Sequence, residues 1–208
     1  AGEKLRSLHT SDRQVEETML QLVGDDRVAN YLDIGTGTGR MLEVFGPQVE
    51  KGIGVDLSHE MLTIARTRIE AAGLDHCQVR QGDLFALDLA NGSGATNCHM
   101  VNADLITLHL VLHYLTDPAA AVAEAVRALI PTGKLLIADF APHDLEELRE
   151  EHSHRRLGFS DTEVVGWCKA AGLDHIKISH LPPPDENGRK LTVTLWLAQA
   201  SAQPGQQV

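Results

Sequence analysis

The stretch Tyr31-Leu32-Asp33-Ile34-Gly35-Thr36-Gly37-Thr38-Gly39 decides the fold of this chain, because it joins a buried strand to a glycine loop. The residues before the loop are typical of a parallel strand that is buried on both faces. The glycines at 35, 37 and 39 let the backbone turn sharply and approach a ligand without obstruction by Cβ atoms. A helix at about 40–45 would then direct free N–H groups and its positive dipole end at that ligand. The stretch therefore predicts a ligand-binding loop.

The spacing of the glycines restricts the kind of site. A dinucleotide-binding fingerprint would need a further glycine three residues after Gly37, where this chain has Arg40. Instead, an acid stands two residues before the first glycine, which gives the pattern D-x-G-x-G-x-G. A glycine loop alone is a weak signal, so a different nucleotide site stays open until the later strands are considered.

Strand and helix patterns alternate after the loop, which predicts a parallel sheet covered by helices. Helix starts are indicated by Ser58 and by Asp117-Pro118, an N-cap followed by proline at the first helical position. Two alternating segments at 175–181 and 191–198, separated by turn residues that include Asn187-Gly188, predict an antiparallel hairpin. The other strand patterns lie at 51–56, 77–80, 105–108 and 134–139.

Helical patterns also flank this core. Ser11 is predicted to cap an N-terminal helix that lies against the domain as a cover, and further helices are predicted at about 144–156 and 160–172. We expect a helical cover at 1–27, one domain at 28–200 and a disordered tail at 201–208.

Composition disfavours several classes of function. The formal net charge of −11 over 208 residues disfavours nucleic acid as the main partner, since phosphate binding needs clustered Lys and Arg. No apolar run reaches the length of a membrane span and no signal peptide is visible, so we expect a soluble, cytoplasmic protein without membrane contact. Three cysteines, at 77, 98 and 168, form no CxxC pair and are expected to be buried free thiols.

Three acids end successive predicted strands, at the sheet edge where open parallel sheets bind ligands. Asp56 could accept hydrogen bonds from both hydroxyls of a ribose. Asp83 could accept from an adenine amino group while the N–H of Leu84 reaches a ring nitrogen. Met61 packs either on the adenine face or in the core. Together with Asp33 these residues predict a nucleoside site, and a nicotinamide enzyme would share Asp56 but would not need Asp83.

With the glycine loop and these acids, residues 31–140 resemble the class I S-adenosylmethionine (SAM) dependent methyltransferases. The resemblance implies an α/β fold, a Rossmann-like doubly wound sheet of seven strands in the order 3-2-1-4-5-7-6, with the hairpin at its end. It implies SAM as cofactor and S-adenosylhomocysteine as product, with the glycine loop on the methionine part. The implied cofactor-binding residues are Asp33, Gly35, Thr36, Gly37, Gly39, Asp56, Leu57, Met61, Gly82, Asp83, Leu84 and His109.

Within that family, residues 103–118 resemble the small-molecule methyltransferases of ubiquinone and menaquinone biosynthesis. Residues 6–9 and 151–160 resemble methyltransferase domains fused behind metal-sensing winged-helix repressors. We therefore expect methyl transfer to a small-molecule acceptor. The alternative is a domain that senses SAM or S-adenosylhomocysteine for a transcriptional regulator. A fused or associated winged-helix domain and a homodimer are the expected partners.

Three histidines are the candidate acceptor-side residues. His109 ends the fourth predicted strand and His113 follows at i,i+4 spacing, while His152 falls on the apolar stripe of a predicted helix. We expect them to line the mouth of the acceptor pocket, where an imidazole could deprotonate or orient the acceptor. Packing in the core is the alternative for His152. A metal site is disfavoured, because the zincin motif needs glutamate where this chain has Leu110.

Overall fold

A computed structural model describes residues 11–87, 102–146, 154–183 and 191–201. Its centre is a seven-stranded sheet in the order β3-β2-β1-β4-β5-β7-β6, which confirms the predicted α/β class and strand order. The strands are β1 (Val28–Ile34), β2 (Val49–Asp56), β3 (Cys77–Gln81), β4 (Ala103–His109), β5 (Leu129–Phe140), β6 (His175–Leu181) and β7 (Val193–Gln199). The α-helices are α1 (Asp12–Val23), α2 (Arg40–Phe45), α3 (His59–Ala71), α4 (Pro118–Arg127) and α5 (Asp161–Ala170).

The strand order reverses at β1. This strand pairs in parallel with β2 on one side and with β4 on the other, and β3 and β5 extend the parallel sheet outward. The carboxyl ends of the five strands therefore meet at one edge, and the crevice between β1 and β4 is the topological switch point where such sheets bind ligands. We call this edge the ligand edge.

The helices cover both faces of the sheet. Apolar residues of α1, α2 and α3 share one buried cluster, and those of α4 and α5 share another on the opposite face. Ser11 caps α1 as predicted, because its side chain accepts from the Gln14 N–H. Strand β7 lies antiparallel between β5 and β6. Its consecutive residues Trp196 and Leu197 are both buried, one in each cluster.

The helix predicted at 144–156 is not present at its described ends. Residues 144–146 and 154–156 form loops, and the segment between them lies outside the described residues. Tertiary contacts take the backbone groups that a helix would use. The N–H groups of Arg155 and Arg156 both donate to the carbonyl of His113, at 2.9 and 3.2 Å.

The remaining expectations about the chain concern cysteines, membrane contact and the termini. Cys77 and Cys168 are buried free thiols as predicted, and burial raises the pKa of each to about 11. Cys98, residues 6–9 and the tail beyond Ser201 lie outside the described residues, and the proposed domain bounds stay predictions. Over the described ranges, none of the helices combines the length and apolarity needed to cross a bilayer.

Candidate functional site

The glycine loop connects β1 to α2 at the switch point. Gly35, Gly37 and Gly39 have φ values of 76°, 54° and 83°, a region that side chains other than glycine rarely adopt. A Cβ atom on Gly35 would lie 2.6 Å from Cγ2 of Val111, so the loop packs directly against the segment after β4. At Gly37, leaving aside its two chain neighbours, no atom of the described residues lies within 4 Å of the Cβ position. One side of the loop is therefore open to a ligand.

Asp56 fixes the open part of this loop to the end of β2. Its Oδ2 accepts from the Gly37 N–H at 2.8 Å, and its Oδ1 accepts from the Ser58 N–H at 2.9 Å. Each carboxylate oxygen can accept a second hydrogen bond. The half-buried carboxylate can thus hold the loop and still accept from ligand hydroxyls.

Asp33 lies beneath the loop in a buried hydrogen-bond chain that crosses the switch point. Thr107 on β4 donates its hydroxyl to Oδ1 of Asp33 at 2.6 Å. The hydroxyl of Tyr31 lies 2.6 Å from the same Thr107 oxygen, so Tyr31 is the donor in that contact, since Thr107 has one hydrogen to give. Burial raises the pKa of Asp33 to about 6. A cationic ligand group nearby would favour its ionised form.

Thr36 of the same loop is buried beside β2. A Cβ atom on Gly54 would lie 2.5 Å from the Thr36 hydroxyl oxygen, so the loop closes over a glycine in β2. Gly82 N–H donates to the Asp56 carbonyl at 3.1 Å, which joins the turn after β3 to the end of β2. These contacts bring the three predicted cofactor segments together at the ligand edge.

The end of β3 carries Asp83 and an apolar surface. The Oδ1 of Asp83 accepts from the Phe85 N–H at 2.9 Å in a tight turn, while Leu84 is buried. Large apolar side chains are exposed after β2, on the first turn of α3 and after β3: Leu57, Met61 and Phe85, at 58%, 44% and 38%. The core alternative for Met61 is therefore wrong, and this surface suits a flat apolar ring.

The predicted acceptor-side histidines occupy different environments. His109 is the last residue of β4 and is half-buried. His113 lies in a short 3-10 helix, Leu112–Tyr114, and is buried rather than at the mouth of a pocket. Its Nδ1 lies 2.7 Å from Oδ1 of Asp139, and its ring packs against His154 with ring centroids 4.1 Å apart, so these two side chains enclose it. His152 lies outside the described residues.

Sequence reasoning missed the group that surrounds His113. We call it the histidine cluster, defined by His113, Asp139, His143 and His154. His143 follows β5, and burial, reinforced by His113, lowers its pKa. Asp139 is the next-to-last residue of β5, and the sequence placed it at the end of the fifth predicted strand, 134–139, without giving it a role. Within the described part of the chain, no group of three or more side chains is arranged to hold a metal ion.

Comparison with known proteins identifies the family to which the chain belongs. A profile described as "Methyltransferase domain" matches residues 32–137, just over half of the 208 residues and from within β1 to within β5. The chain belongs to this methyltransferase family. The match confirms the resemblance to class I SAM-dependent methyltransferases, because the same segment contains the D-x-G-x-G-x-G loop and the five parallel strands.

Individual relatives support this placement of the methyltransferase domain. An uncharacterized methyltransferase, YcgJ from Bacillus subtilis, is 32% identical over 161 residues, which cover 73% of this chain and 60% of the relative. Its crystal structure superposes with a TM-score of 0.70 and 20% identity, covering 91% of this chain and all of that one.

Two further proteins extend the comparison. The demethylmenaquinone methyltransferase of Thermus thermophilus is 32% identical over 114 residues, 53% of this chain and 47% of the relative. The N-methyltransferase NodS of Bradyrhizobium japonicum, solved in complex with S-adenosylhomocysteine, gives a TM-score of 0.68 at 18% identity, covering 92% of this chain and 88% of that one. At such identity the structures show a shared fold. The first curated relatives are matched over 60% or less of their own length.

Proposed function

We propose that this domain transfers a methyl group from SAM to a small-molecule acceptor. The observation that carries the proposal is the open side of the glycine loop at Gly37, fixed by Asp56 at the switch point of a methyltransferase-family sheet. An open loop held by a carboxylate provides both the space and the hydrogen-bond acceptors that a nucleoside needs.

The ligand edge fits SAM along its length. We assign the methionine part to the glycine loop, where the buried carboxyl of Asp33 favours a cationic group. We assign the ribose to Asp56 and the adenine to Asp83 and the N–H of Leu84, with the exposed Leu57 and Met61 against the ring. When bound, SAM supplies an electrophilic methyl group on a sulfonium sulfur.

The chain's own residues would then act mainly by alignment. Holding an acceptor in line with the methyl group removes much of the entropic barrier to the reaction. His109 at the end of β4, His113 and His152 remain the proposed acceptor-side residues, and an imidazole there could take a proton from the acceptor. No covalent intermediate with the enzyme is needed.

The names of relatives support the two ligands. NodS was solved with S-adenosylhomocysteine, and the Thermus relative is named for a small molecule, demethylmenaquinone. The sensor alternative is not favoured, since the matched family is one of methyltransferases. A winged-helix partner, a homodimer and a cytoplasmic location stay predictions.

Calorimetry with SAM and S-adenosylhomocysteine tests the proposal. Wild-type chain should bind both, and Asp56→Ala should weaken both by about ten- to a hundredfold, since losing a charge-assisted hydrogen bond has a free-energy effect of about 1.5–3 kcal/mol. The matched control is Asp174→Ala, because that carboxylate also accepts two hydrogen bonds, from Ser201, but it precedes β6 at the opposite edge of the sheet. The affinity of the Asp174→Ala variant for both ligands should stay at the wild-type value.

An acceptor screen completes the test. S-adenosylhomocysteine release is measured with hydroquinones, thiols and amines in turn, in the presence of SAM. Absence of binding by the wild-type chain would refute the cofactor assignment. Equal losses in the two aspartate variants would place the ribose away from Asp56.

A further inference from the structure

Asp139 has a fully buried carboxylate that contacts the Nδ1 edge of the His113 ring. Its Oδ1 lies 2.7 Å from Nδ1 of His113, and its Oδ2 accepts from the backbone N–H of the same residue at 3.3 Å. The Phe140 N–H also donates to Oδ1, at 2.8 Å. An ionised carboxylate can only accept, so the hydrogen lies on Nδ1 and the lone pair of the ring on Nε2.

The Nε2 atom of His113 is buried and has no hydrogen-bond partner among the described residues. Buried polar atoms in folded proteins are almost always paired, and an unpaired one calls for a reason. Packing alone gives none, because an apolar ring would fill the space between Phe140 and His154 without an unpaired nitrogen. An unpaired basic nitrogen is instead what a proton acceptor requires before its substrate binds.

The pair lies next to the proposed cofactor loop. Val111, which contacts Gly35, is two residues before His113 and directly precedes the 3-10 helix that carries it. Asp139 lies near the carboxyl end of β5, on the same ligand edge as the loop. The geometry therefore puts the imidazole on the acceptor side of the glycine loop.

A segment that we call the strap, residues 154–159, covers the pair. The N–H groups of Arg155 and Arg156 both donate to the carbonyl of His113, at 2.9 and 3.2 Å. At the other end, the Phe159 N–H donates to the carbonyl of Phe140 at 2.8 Å. The side chain of His113 is 1% exposed beneath the strap, and this burial strengthens its interaction with the carboxylate.

We propose that Asp139 and His113 form a dyad that deprotonates the methyl acceptor, and that the acceptor is therefore a nucleophile with a removable proton on oxygen, nitrogen or sulfur. The proposal rests on the proposed function and deepens it. The acceptor's proton moves to Nε2 of His113 while its lone pair bonds to the methyl carbon. The carbon–sulfur bond breaks with its electrons on sulfur, so the positive charge passes from the sulfonium to the imidazolium. Asp139 is the positioning residue and does not touch the acceptor.

The first test needs no ligand and reads the tautomer of His113. In the full chain with ¹⁵N-labelled histidine, NMR at alkaline pH should show the Nδ1–H tautomer of His113, and Asp139→Ala, which removes the acceptor, should change it to Nε2–H. His175 serves as an internal reference, since it begins β6 at the opposite edge. An Nε2–H tautomer in the wild type, or no change in the variant, would overturn the dyad.

The second test uses the charge of SAM, which S-adenosylhomocysteine lacks. If Nε2 faces the methyl position, its ¹⁵N chemical shift at one alkaline pH should differ between the two complexes, because a cation a few ångströms away polarises the ring. Asp139, Tyr114, His143 and His154 also face the ring, but both complexes contain them equally. Equal Nε2 shifts in the two complexes would remove His113 from the reaction.

These readouts separate the two proposals. Failure of both ligands to bind in calorimetry refutes the proposed function and leaves the tautomer result intact, whereas normal binding with equal Nε2 shifts refutes the dyad alone. The shift comparison uses wild-type protein, so it decides even if Asp139→Ala does not fold. With an acceptor in hand, kcat should fall as the pH is lowered, because the protonated ring cannot accept a proton. A kcat that does not depend on pH would also overturn the dyad.

Discussion

At the ends of β1, β2 and β3 the polar groups of the ligand edge are carboxylates held by backbone N–H and hydroxyl donors, whereas at the ends of β4 and β5 they are imidazoles around one carboxylate. Asp56 is held by two N–H groups within 19 residues of it in sequence. His113 is held by Asp139, 26 residues away, and is covered by His154 from a third segment. The Asp56 contacts are short-range in sequence, whereas Thr107 holds Asp33 from 74 residues away and the histidine cluster joins three separate segments.

This difference separates the part of the site that binds the cofactor from the part that selects the acceptor. Backbone donors in a glycine loop do not depend on which side chains neighbour them, so the cofactor side can keep its shape while other loops change. The histidine cluster depends on the loop after β5 and on the strap, so each change in those segments alters it. A common cofactor and a variable acceptor are the expected result.

The largest expected effect is a loss of cofactor affinity that leaves the acceptor side unchanged. Gly37→Val places a branched side chain in the open space at the loop, and S-adenosylhomocysteine affinity should fall about a thousandfold, or about 4 kcal/mol. Gly73→Val is the matched control, because Gly73 also has a positive φ, 67°, and open space around its Cβ position, but follows α3. Calorimetry should show wild-type affinity for the control. Equal losses would attribute the effect to backbone strain.

A second expected effect concerns Asp33, because its buried charge lowers the stability of the fold. Its pKa is about 6 in the folded chain and near 4 when unfolded, so the unfolded state releases the proton first as the pH rises. Wild-type stability should therefore fall between about pH 4 and pH 6. Asp33→Asn lacks this charge and should be more stable above pH 6 by up to about 3 kcal/mol.

Urea unfolding at pH 4, 5, 6 and 7 measures this difference. Asp174→Asn is the opposite case, because hydrogen bonds from Ser201 lower the pKa of that exposed carboxyl. Its loss should leave stability unchanged or slightly reduced at neutral pH. A constant gap between Asp33→Asn and the wild type across the series would mean that Asp33 does not titrate in this range.

The smallest expected effect on cofactor affinity sharpens the comparison from the acceptor side. Gly158 in the strap has a φ of 83°, and a Cβ atom there would overlap the carbonyl of Ala141. Gly158→Ala should shift the strap and destabilise the fold by more than the roughly 1–2 kcal/mol of left-handed backbone strain alone, because the overlap is with backbone atoms. Thermal melting gives the loss, and NMR should show changed His113 and His154 resonances with S-adenosylhomocysteine affinity within about threefold of wild type. A large loss of affinity would mean that the two sides are coupled.

Several elements of the fold were predictable because their signals are local. Asp117 and Pro118 start α4, and the pattern at 175–181 matches β6. The segment 144–156 misled, since its sequence is charged and favours a helix, but the N–H groups of Arg155 and Arg156 donate to the carbonyl of His113 instead. Met61 was undecided because a helical pattern does not say which face meets solvent.

The sequence by itself determined the parallel sheet and, through the family resemblance, its strand order, since a strand, a glycine loop and acids at successive strand ends are short-range patterns. Only the tertiary structure decided that His113 is buried, that Asp139 and His154 lie against it, and that Asp33 is bonded to Thr107 on another strand. Contacts of this kind join residues far apart in the chain, and their geometry depends on how the strands and loops pack. No local pattern contains that information.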